Sequence, residues 1–425
     1  MLLFSMEPEL YSFRLKAENV KHELINLKQL VFEVTDACNL QCRYCIFGEM
    51  YSGFDQRKSQ FLPFDEAKAV IDYLADLWRN NSSAISQPHL GVSFYGGEPL
   101  MNMPLIEKIV DYVQSLQLPK KISFSMTSNC VLLDKYMDYL VEKDFQMLCS
   151  LDGDNQSDAY RVFQDGRPSF NRVFTNLKLL QNKYPSYFAK RVQFNAVLHN
   201  LNSVSSLFSF FKDEFGKVPT ISELNSVGVR EDQKEVFNKT FKNHQQDLSQ
   251  AKNQEELRKE MKFDTPETNE LFYYFSNTLG NVYDTYLDLL SPETEVPRMP
   301  TGTCLPFSKK LFVKVDGKIM HCERIHHNFY FGAVRDGKVN LDLQDVADRF
   351  NAYIEKIKPI CQSCAGIKYC MKCFYTIDGL DSKSVVCDAY MNRLQLKQLE
   401  SHYKRYLFHY PTLYREFMNE VVLSD

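Results

Sequence analysis

Between residues 29 and 230, short apolar segments alternate with longer amphipathic ones. Six apolar segments have the Val-, Ile-, Phe- and Ser-rich composition of buried strands: residues 29–35, 90–96, 121–127, 145–151, 191–198 and, more weakly, 220–229. Segments between them, such as 65–78, 104–116 and 132–143, carry apolar residues at helical spacing. Repeated strand–helix units predict an α/β fold. Six units favour a partial (β/α)6 TIM-like barrel over a flat doubly wound sheet, although the periodicity fits both. In both folds, chemistry takes place at the carboxyl ends of the strands.

Size and composition exclude several classes of protein. The 425 residues allow two or three domains, and 44% hydrophobic and 24% charged residues are ordinary for a globular protein. A net charge of −4 argues against a nucleic-acid partner, and no apolar run is long enough to span a membrane. Glu7 and Glu9 interrupt the first apolar run, which also lacks the basic start of a signal peptide. We therefore predict a cytoplasmic protein.

Three cysteines follow the first predicted strand in the segment TDACNLQCRYC. They are Cys38, Cys42 and Cys45, with three residues in the first interval and two in the second. Thiolates at such short spacing are typical iron–sulfur ligands. Three thiolates bind three irons of a [4Fe–4S] cube and leave the fourth iron open to another ligand.

A second set of cysteines lies in the last third of the chain. Its members are Cys304, Cys322, Cys361, Cys364, Cys370, Cys373 and Cys387. Disulfides suit short secreted domains better than a large chain without an export signal. Zinc is the stronger alternative, because paired Cys-x2-Cys motifs are common zinc ligands, but seven cysteines fit one zinc site poorly and two incompletely.

The first set resembles the signature of the radical S-adenosylmethionine (SAM) superfamily, Cys-x3-Cys-x-aromatic-Cys, with Tyr44 as the aromatic residue. The segment after the second predicted strand is similar to the superfamily's GGEP motif, whose backbone contacts the amino group of SAM: Gly96, Gly97, Glu98 and Pro99. Polar residues that end later strands are similar to segments that contact the carboxylate, ribose and adenine of SAM: Ser128, Asn129, Ser150, Asp152 and Asn195. Short polar side chains at such positions can equally cap the following helix.

This resemblance implies a mechanism. The open iron would bind SAM, and one electron from the reduced cluster would split it into methionine and a 5′-deoxyadenosyl radical. That radical would remove hydrogen from an unactivated C–H bond. The electron would come from an external reductant of the flavodoxin or ferredoxin type.

The second set resembles the SPASM extension of radical SAM peptide-modifying enzymes, which holds two auxiliary [4Fe–4S] clusters. Carried over by position, one cluster would be enclosed by Cys361, Cys364, Cys370 and Cys387, and the other held by Cys304, Cys322 and Cys373. The family usually has three residues in the last pair, where this chain has only Met371 and Lys372.

Residues 291–303 also lack the additional cysteine of fully ligated relatives. The second auxiliary cluster would then have an open iron, which could bind a substrate thiolate. His321, His326 or His327 could fill the position instead, although a neutral surface histidine is the simpler role for each.

Three further residues invite a functional interpretation. Glu323 occupies a position where a related sulfatase-maturing enzyme carries a carboxylate base, although a surface salt bridge would also explain it. Cys130 and Cys149 lie outside both sets. Cys149 lies within a predicted strand, and we interpret it as a small buried hydrophobic residue. Either cysteine could instead be the hydrogen-atom donor of a peptide epimerase.

Together these features predict a radical SAM/SPASM peptide maturase with three [4Fe–4S] clusters and SAM. It would install a crosslink, a Cys thioether, in a ribosomally synthesised precursor peptide with a leader sequence. The alternatives are an anaerobic sulfatase maturase that forms formylglycine, a peptide epimerase, a carbon–carbon crosslinking enzyme, a non-catalytic scaffold and a zinc-binding regulatory protein.

The predicted domains are an N-terminal extension, the radical SAM barrel, a helical bridge, a cysteine-rich SPASM domain and C-terminal helices, at residues 1–28, 29–230, 231–300, 301–390 and 391–425. The cysteine-rich domain should contain a β-hairpin that turns at Asp316-Gly317. The extension is too short for a separate leader-binding domain, so we expect the leader to bind the bridge, the C-terminal helices or a partner protein.

Overall fold

The computed structural model describes residues 14–261, 265–279, 299, 301–382 and 384–419. Parts of the predicted extension, bridge and C-terminal helices lie outside these residues. The chain divides into two compact units. The larger unit comprises the described parts of 24–265 and 309–341, and the smaller unit those of 1–23, 266–308 and 342–425.

A ten-stranded sheet forms the centre of the larger unit. Its strands are β1 Gln29–Thr35, β2 His89–Gly96, β3 Lys121–Ser128, β4 Gln146–Ser150, β5 Val192–Leu198, β6 Thr220–Glu223, β7 Lys310–Val313, β8 Lys318–Met320, β9 Gly332–Arg335 and β10 Lys338–Asn340. The spatial order is β10-β9-β8-β7-β1-β2-β3-β4-β5-β6. Strands β1 to β6 are all parallel and stand in sequence order.

The described helices are α1 Ala17–Ile25, α2 Phe64–Asn80, α3 Met103–Ser115, α4 Leu133–Glu142, α5 Phe170–Lys183, α6 Pro185–Arg191, α7 Val204–Phe215, α8 Lys234–Thr240, α9 His244–Gln250, α10 Gln254–Met261, α11 Pro266–Leu279, α12 Leu343–Ser363, α13 Arg393–His409 and α14 Leu413–Asn419. No described helix is both long and apolar enough to cross a membrane.

The sequential order of the parallel strands explains why the sheet is a partial barrel. Crossovers between neighbouring parallel strands are almost always right-handed, so an order that never reverses places every connecting helix on one face of the sheet. A sheet covered on one face curls around its other face instead of lying flat between two helical layers. The predicted α/β fold of the partial (β/α)6 type is therefore confirmed.

Aromatic and aliphatic side chains fill the barrel wall. Phe145, just before β4, is fully buried, with its ring 5.8 Å from that of Phe94 and 5.6 Å from that of Phe124. On α2, the apolar face includes Leu74 and Trp78, both buried. This packing gives the carboxyl ends of the strands a rigid base.

The predicted hairpin is present as β7 and β8, which pair antiparallel. Gly317 turns the chain at a φ of +81°, and a Cβ there would lie 2.2 Å from the carbonyl oxygen of Val334, so only glycine fits. Strand β7 also pairs in parallel with β1, from Gln29 opposite Lys310 to Phe32 opposite Val313. The hairpin, assigned from sequence to the cysteine-rich region, thus extends the barrel sheet.

The smaller unit is helical and contains most of the second cysteine set. Helix α12 buries Phe350 and Ile354, and the Phe350 ring lies 5.1 Å from that of Phe374. The Asn351 side chain accepts from the backbone N–H of Leu15 at 2.9 Å and donates to its carbonyl at 2.8 Å. The segment before α1 is thereby fixed to α12.

Candidate functional site

A cavity of about 370 Å³ lies at the carboxyl ends of the barrel strands. Most of the residues predicted to bind SAM or its cluster line it, namely Cys38, Cys42, Tyr44, Cys45, Gly96, Gly97, Glu98, Ser128, Asn129, Ser150 and Asn195. Pro99 and Asp152 are predicted with them but do not line the cavity. The structure therefore brings together residues that are separated by up to 157 positions in the chain.

The two motif glycines let the cysteine loop approach β2 closely. A Cβ on Gly96 would lie 2.1 Å from the carbonyl oxygen of Thr35, and one on Gly97 would lie 2.1 Å from that of Ala37. The backbone N–H groups of Gly97 and Glu98 donate to these same two carbonyls, each at 2.8 Å. The motif thus fixes the start of the loop that carries the cysteines.

The Glu98 carboxylate ties the end of β2 to the end of β3. It is 1% exposed and accepts from the Ser128 hydroxyl at 2.7 Å, the Asn129 N–H at 2.7 Å and the Leu100 N–H at 3.1 Å. Burial raises the pKa of Glu98 to about 7, against these hydrogen bonds, which lower it. Pro99 follows as the first residue of a short 3-10 helix.

Asn129 joins β3 to the cysteine loop. Its side-chain amide donates to the side-chain oxygen Oδ1 of Asn39 at 2.7 Å and lies 3.7 Å from the Cys38 sulfur. The Asn195 side chain, on β5, accepts from the Ser222 hydroxyl at 2.8 Å. These bonds hold polar groups at fixed positions on the cavity wall, where donors and acceptors for a bound molecule are needed.

Two arginines approach the first cysteine set. Arg57 donates to the Cys45 sulfur at 3.0 Å, and an N–H group of Arg161 lies 4.0 Å from the Cys42 sulfur. Burial raises the pKa of Cys42 to about 12, and the other two thiols add to this, whereas Arg161 lowers it. Cations beside buried thiols favour the anionic thiolates that bind metals.

The chemistry of this donor set fits an iron–sulfur cluster. Three soft thiolates lie on one loop beside two guanidinium groups. Among the described residues, no group of three or more His, Cys, Asp or Glu side chains is placed to hold a single metal ion. One tetrahedral zinc requires thiolates within about 4 Å of each other, whereas an iron–sulfur cube is a larger group.

Asp152 acts on the cavity through its neighbours. It is fully buried, accepts from the Tyr44 hydroxyl and from the Val197 N–H at 2.9 Å, and pairs with Arg161 at 3.1 Å. Although burial opposes it, the charge of Arg161 lowers the pKa of Asp152. Asp158 lies 3.6 Å from the same guanidinium, and burial together with the charge of Asp152 raises its pKa. The ionised carboxylate of Asp152 thus balances the charge of Arg161 and also holds the Tyr44 hydroxyl in place.

Sequence reasoning missed several cavity residues, among them Arg57, Arg161, Arg324 and Ser222. Arg161 is 119 residues from the thiol it approaches and belongs to none of the recognised segments. Arg57 lies only 12 residues after Cys45, so a search of the loop for cations could have found it.

Four cysteines of the second set gather in the smaller unit. Cys361 lies in the last turn of α12, burial raises its pKa to about 12, and the thiols of Cys370, Cys387 and Cys364 add to the increase. A cavity of about 340 Å³ adjoins them, with Cys364 and Cys370 on its wall. This grouping is the one expected for a fully enclosed auxiliary cluster, which stays a prediction.

The other three cysteines are divided between the two units. Cys304 and Cys373 belong to the smaller unit, where the Thr303 hydroxyl accepts from the Phe374 N–H at 2.8 Å and also contacts Cys373. Cys322 follows β8 in the larger unit. That Cys304, Cys322 and Cys373 hold one auxiliary cluster stays a prediction.

Glu323 forms an ion pair with Lys310 on β7, at 3.0 Å. Its side chain does not line the cavity, although that of the next residue, Arg324, does. This arrangement matches the salt-bridge interpretation, and the role of a catalytic base stays a prediction.

The histidines considered as cluster ligands belong to the larger unit. The expected surface position is wrong for His321 and His327, which are both buried. Burial lowers the pKa of each to about 4, so both rings are neutral near pH 7, as predicted. Cys130 and Cys149 are fully buried and do not line the cavity, as expected for small hydrophobic residues. A hydrogen-donor role for either would require access that this packing does not give.

Comparison with known proteins now identifies the class. The model of the radical SAM superfamily matches residues 32–202, which include the last four residues of β1, the cysteine loop and all of strands β2 to β5. The chain therefore carries a radical SAM domain and is a radical SAM enzyme.

Three relatives illustrate the range of similarity. An uncharacterised protein of Methanocaldococcus jannaschii is 29% identical over 47% of this chain and 70% of its own length. The radical SAM cyclopropyl synthase TigE of Paramaledivibacter caminithermalis is 25% identical over 51% of this chain and 43% of its own. A cysteine-type anaerobic sulfatase-maturating enzyme of Clostridium novyi is 22% identical over 44% and 49%, respectively. The alignments thus span less than half of the two relatives whose activities are named.

A solved structure, native anSMEcpe with bound AdoMet, shares the fold. The TM-score is 0.60, and the alignment covers 92% of this chain and all of that one, at 18% sequence identity. At this identity the likeness is one of fold alone.

Proposed function

We propose that this enzyme is a SPASM-type peptide maturase. It abstracts hydrogen from a ribosomally synthesised precursor peptide and installs a crosslink, a Cys thioether. The observation that carries the proposal is the convergence of Cys38, Cys42 and Cys45 with the polar strand ends on one cavity, while a second group of thiols gathers elsewhere in the chain. The names of two relatives, a cyclopropyl synthase and a sulfatase-maturating enzyme, and a solved structure of anSMEcpe with AdoMet and the Kp18Cys peptide support it.

Cys38, Cys42 and Cys45 would hold a [4Fe–4S] cluster whose open iron binds SAM. When bound, cluster and SAM together supply the 5′-deoxyadenosyl radical that removes hydrogen from the peptide. Asn129, Ser150 and Asn195 present hydrogen-bonding groups that orient SAM along the cavity wall. The rigid β2 and β3 ends keep these groups in place, because Glu98 ties both strands together.

The second cysteine set would hold two auxiliary clusters. Cys361, Cys364, Cys370 and Cys387 would enclose one, and Cys304, Cys322 and Cys373 would hold the other with one position open. A thiolate of the substrate peptide would bind at that position. Residues 291–303 contain no eighth cysteine that could fill the fourth ligand position of this cluster. For this reason we favour a thioether over the formylglycine of a sulfatase maturase.

The proposed partners are a leader-bearing precursor peptide and a one-electron reductant of the flavodoxin or ferredoxin type, in the cytoplasm. The leader would bind the helices outside the barrel or a separate partner protein.

The decisive experiment is co-expression of the enzyme, without oxygen, with cysteine-rich precursor peptides encoded beside its gene, followed by mass spectrometry. The expected product has lost two hydrogen atoms per crosslink and one alkylatable thiol. An aldehyde in the product would instead indicate a sulfatase-type maturase, and a changed stereocentre at constant mass an epimerase. Purified protein that contains zinc without iron or sulfide, or that does not cleave SAM when reduced, would contradict the proposal.

A further inference from the structure

The side chain of Arg57 is directed at the first cysteine set. Its guanidinium donates to the Cys45 sulfur at 3.0 Å and also interacts with the thiols of Cys38 and Cys42. The group lies over the ring of Phe47, 5.2 Å from its centre, so an aromatic side chain shields part of it from water.

Among the residues that the structure describes, no carboxylate pairs with Arg57, since no Asp or Glu oxygen lies within 4.0 Å of its guanidinium nitrogens. Arg161, the other arginine near the thiols, differs in this respect because Asp152 pairs with it at 3.1 Å. Since arginine stays protonated throughout the accessible pH range, Arg57 places a permanent positive charge beside the thiol set.

A group of ion pairs and hydrogen bonds fixes the loop that carries Arg57. We call it the Asp55 clamp; it consists of Asp55, Lys314, Lys318 and His327. The Asp55 carboxylate pairs with Lys314 and, at 3.1 Å, with Lys318. The Asp55 N–H donates to Nδ1 of His327 at 2.9 Å.

The far side of the clamp is rigid. Lys314 and His327 are each 2% exposed, and they belong to the segments that follow β7 and β8. The His327 N–H also donates to the Gly53 carbonyl at 3.0 Å. The loop is thus held at residues 53 and 55, only two positions before Arg57.

We propose that Arg57, positioned by the Asp55 clamp, raises the reduction potential of the SAM-binding cluster. This inference rests on the proposed function, because it requires a cluster on Cys38, Cys42 and Cys45. Reduction transfers one electron from the external reductant to the cluster and adds one negative charge, with no bond made or broken in the protein. A nearby permanent cation stabilises the reduced form more than the oxidised one, as do hydrogen bonds to cluster sulfurs.

The test is an anaerobic potentiometric titration followed by electron paramagnetic resonance (EPR). The cluster is assigned as the one whose signal changes when SAM is added. In Arg57→Gln, the ratio of reduced to oxidised cluster at a fixed potential should fall about tenfold, a shift of about 59 mV for one electron. Arg57→Lys should retain part of the effect, since it keeps the charge without the planar group.

Asp55→Asn tests the clamp. It should shift the potential in the same direction by a smaller amount, and it should add nothing in the Arg57→Gln background. Arg230→Gln is the matched control. Arg230 lines a further cavity, of about 880 Å³, whose wall also includes Arg57 and the three cysteines, but its guanidinium pairs with Asp232 at 2.8 Å. This control should leave the potential unchanged.

An unchanged potential in Arg57→Gln, or an equal shift in Arg230→Gln, would overturn the inference. These outcomes differ from failure of the proposed function, which would appear as wild-type protein without iron and sulfide or without a SAM-dependent change in its EPR signal. Should Arg57→Gln fail to assemble its cluster, Arg57→Met replaces it as the uncharged variant. A wild-type potential in Arg57→Met would refute the effect of the charge, and a wild-type potential in Asp55→Asn would refute positioning by the clamp.

Discussion

The Glu98 carboxylate accepts the backbone N–H of Asn129 at 2.7 Å, so the end of β2 fixes the end of β3. Two more donors, the Ser128 hydroxyl and the Leu100 N–H, point at the same carboxylate. A residue of the motif that the sequence assigns to SAM binding therefore also holds the cavity wall together.

Replacing Glu98 by Gln should both destabilise the fold and weaken SAM binding. The amide would direct an NH2 group at buried donors, which leaves at least one of them unsatisfied at a cost of about 1–3 kcal/mol. Urea denaturation and SAM titration measure the two effects. Glu142→Gln is the control, because the Glu142 side chain is 71% exposed, and we expect it to change stability by less than about 0.5 kcal/mol.

Gly97→Ala should prevent correct placement of the cysteine loop. Its Cβ would lie 2.1 Å from the Ala37 carbonyl oxygen, so the loop backbone must move. We expect the purified variant to contain less iron and not to cleave SAM. Gly91→Ala, within strand β2 that ends just before Gly97, is the matched control, since its Cβ would meet no atom closer than 3.8 Å. Equal iron content in the two variants would show that the close approach is unimportant.

Glu33 should make stability depend on pH. It is 1% exposed on β1, accepts from the Val315 N–H at 2.9 Å, and burial raises its pKa from 4.5 to about 7. Between these two values the folded state binds a proton that the unfolded state releases. The contribution of Glu33 is therefore fully present below about pH 4.5 and is lost as the pH rises through about 7, with a total of about 3 kcal/mol.

Glu33→Gln should remove this dependence. Urea denaturation at about pH 5 and about pH 7.5 gives the unfolding free energies of wild type and variant. Relative to the variant, the wild type should have a lower unfolding free energy at the higher pH than at the lower one. A constant difference would mean that Glu33 has the same pKa in both states.

Cys361→Ala should reduce the iron content by about four atoms per chain if its group of cysteines encloses one [4Fe–4S] cluster. Cys149→Ala should leave the iron content unchanged, because Cys149 belongs to neither cysteine set, is fully buried and does not line the cavity at the strand ends. Iron and sulfide analysis of the anaerobically reconstituted proteins provides the measurement. Equal loss in both variants would indicate general unfolding instead.

Glu323→Gln and Lys310→Met separate a catalytic base from a structural ion pair. The two side chains lie 3.0 Å apart. If Glu323 is a base, its variant should still form 5′-deoxyadenosine but yield at least about tenfold less modified peptide, while Lys310→Met keeps product formation. Similar, small effects of both variants would assign Glu323 to the salt bridge alone.

The sequence predicted the location of the site better than its internal contacts. Cys38, Gly97 and Ser150 could be placed together because each follows a parallel strand, and such strands end at one edge of a sheet. Asp152 occupies a strand end too, yet it faces Arg161 and Val197. The orientation of the Asp152 side chain depends on these two partners, which the local sequence around Asp152 does not reveal.

The other differences between the expectations from sequence and the structure arise from contacts between residues far apart in the chain. The hairpin at β7 and β8 was recognisable from its turn residues, but its pairing with β1 was not, because an apolar strand of four residues fits many neighbours. Arg57 and the Asp55 clamp were missed for a similar reason: Asp55 and Lys314 are 259 residues apart in the chain.

The pairing of β1 with β7 also determines when this sheet can be completed. Until residues 310–313 have been synthesised, β1 has one unpaired edge, on the side opposite β2. An exposed strand edge invites association with other chains, and contacts this distant in sequence form slowly. The nascent barrel therefore has an aggregation-prone edge until about three-quarters of the chain has been made. We expect low expression temperature and a supply of chaperones to help in obtaining the enzyme.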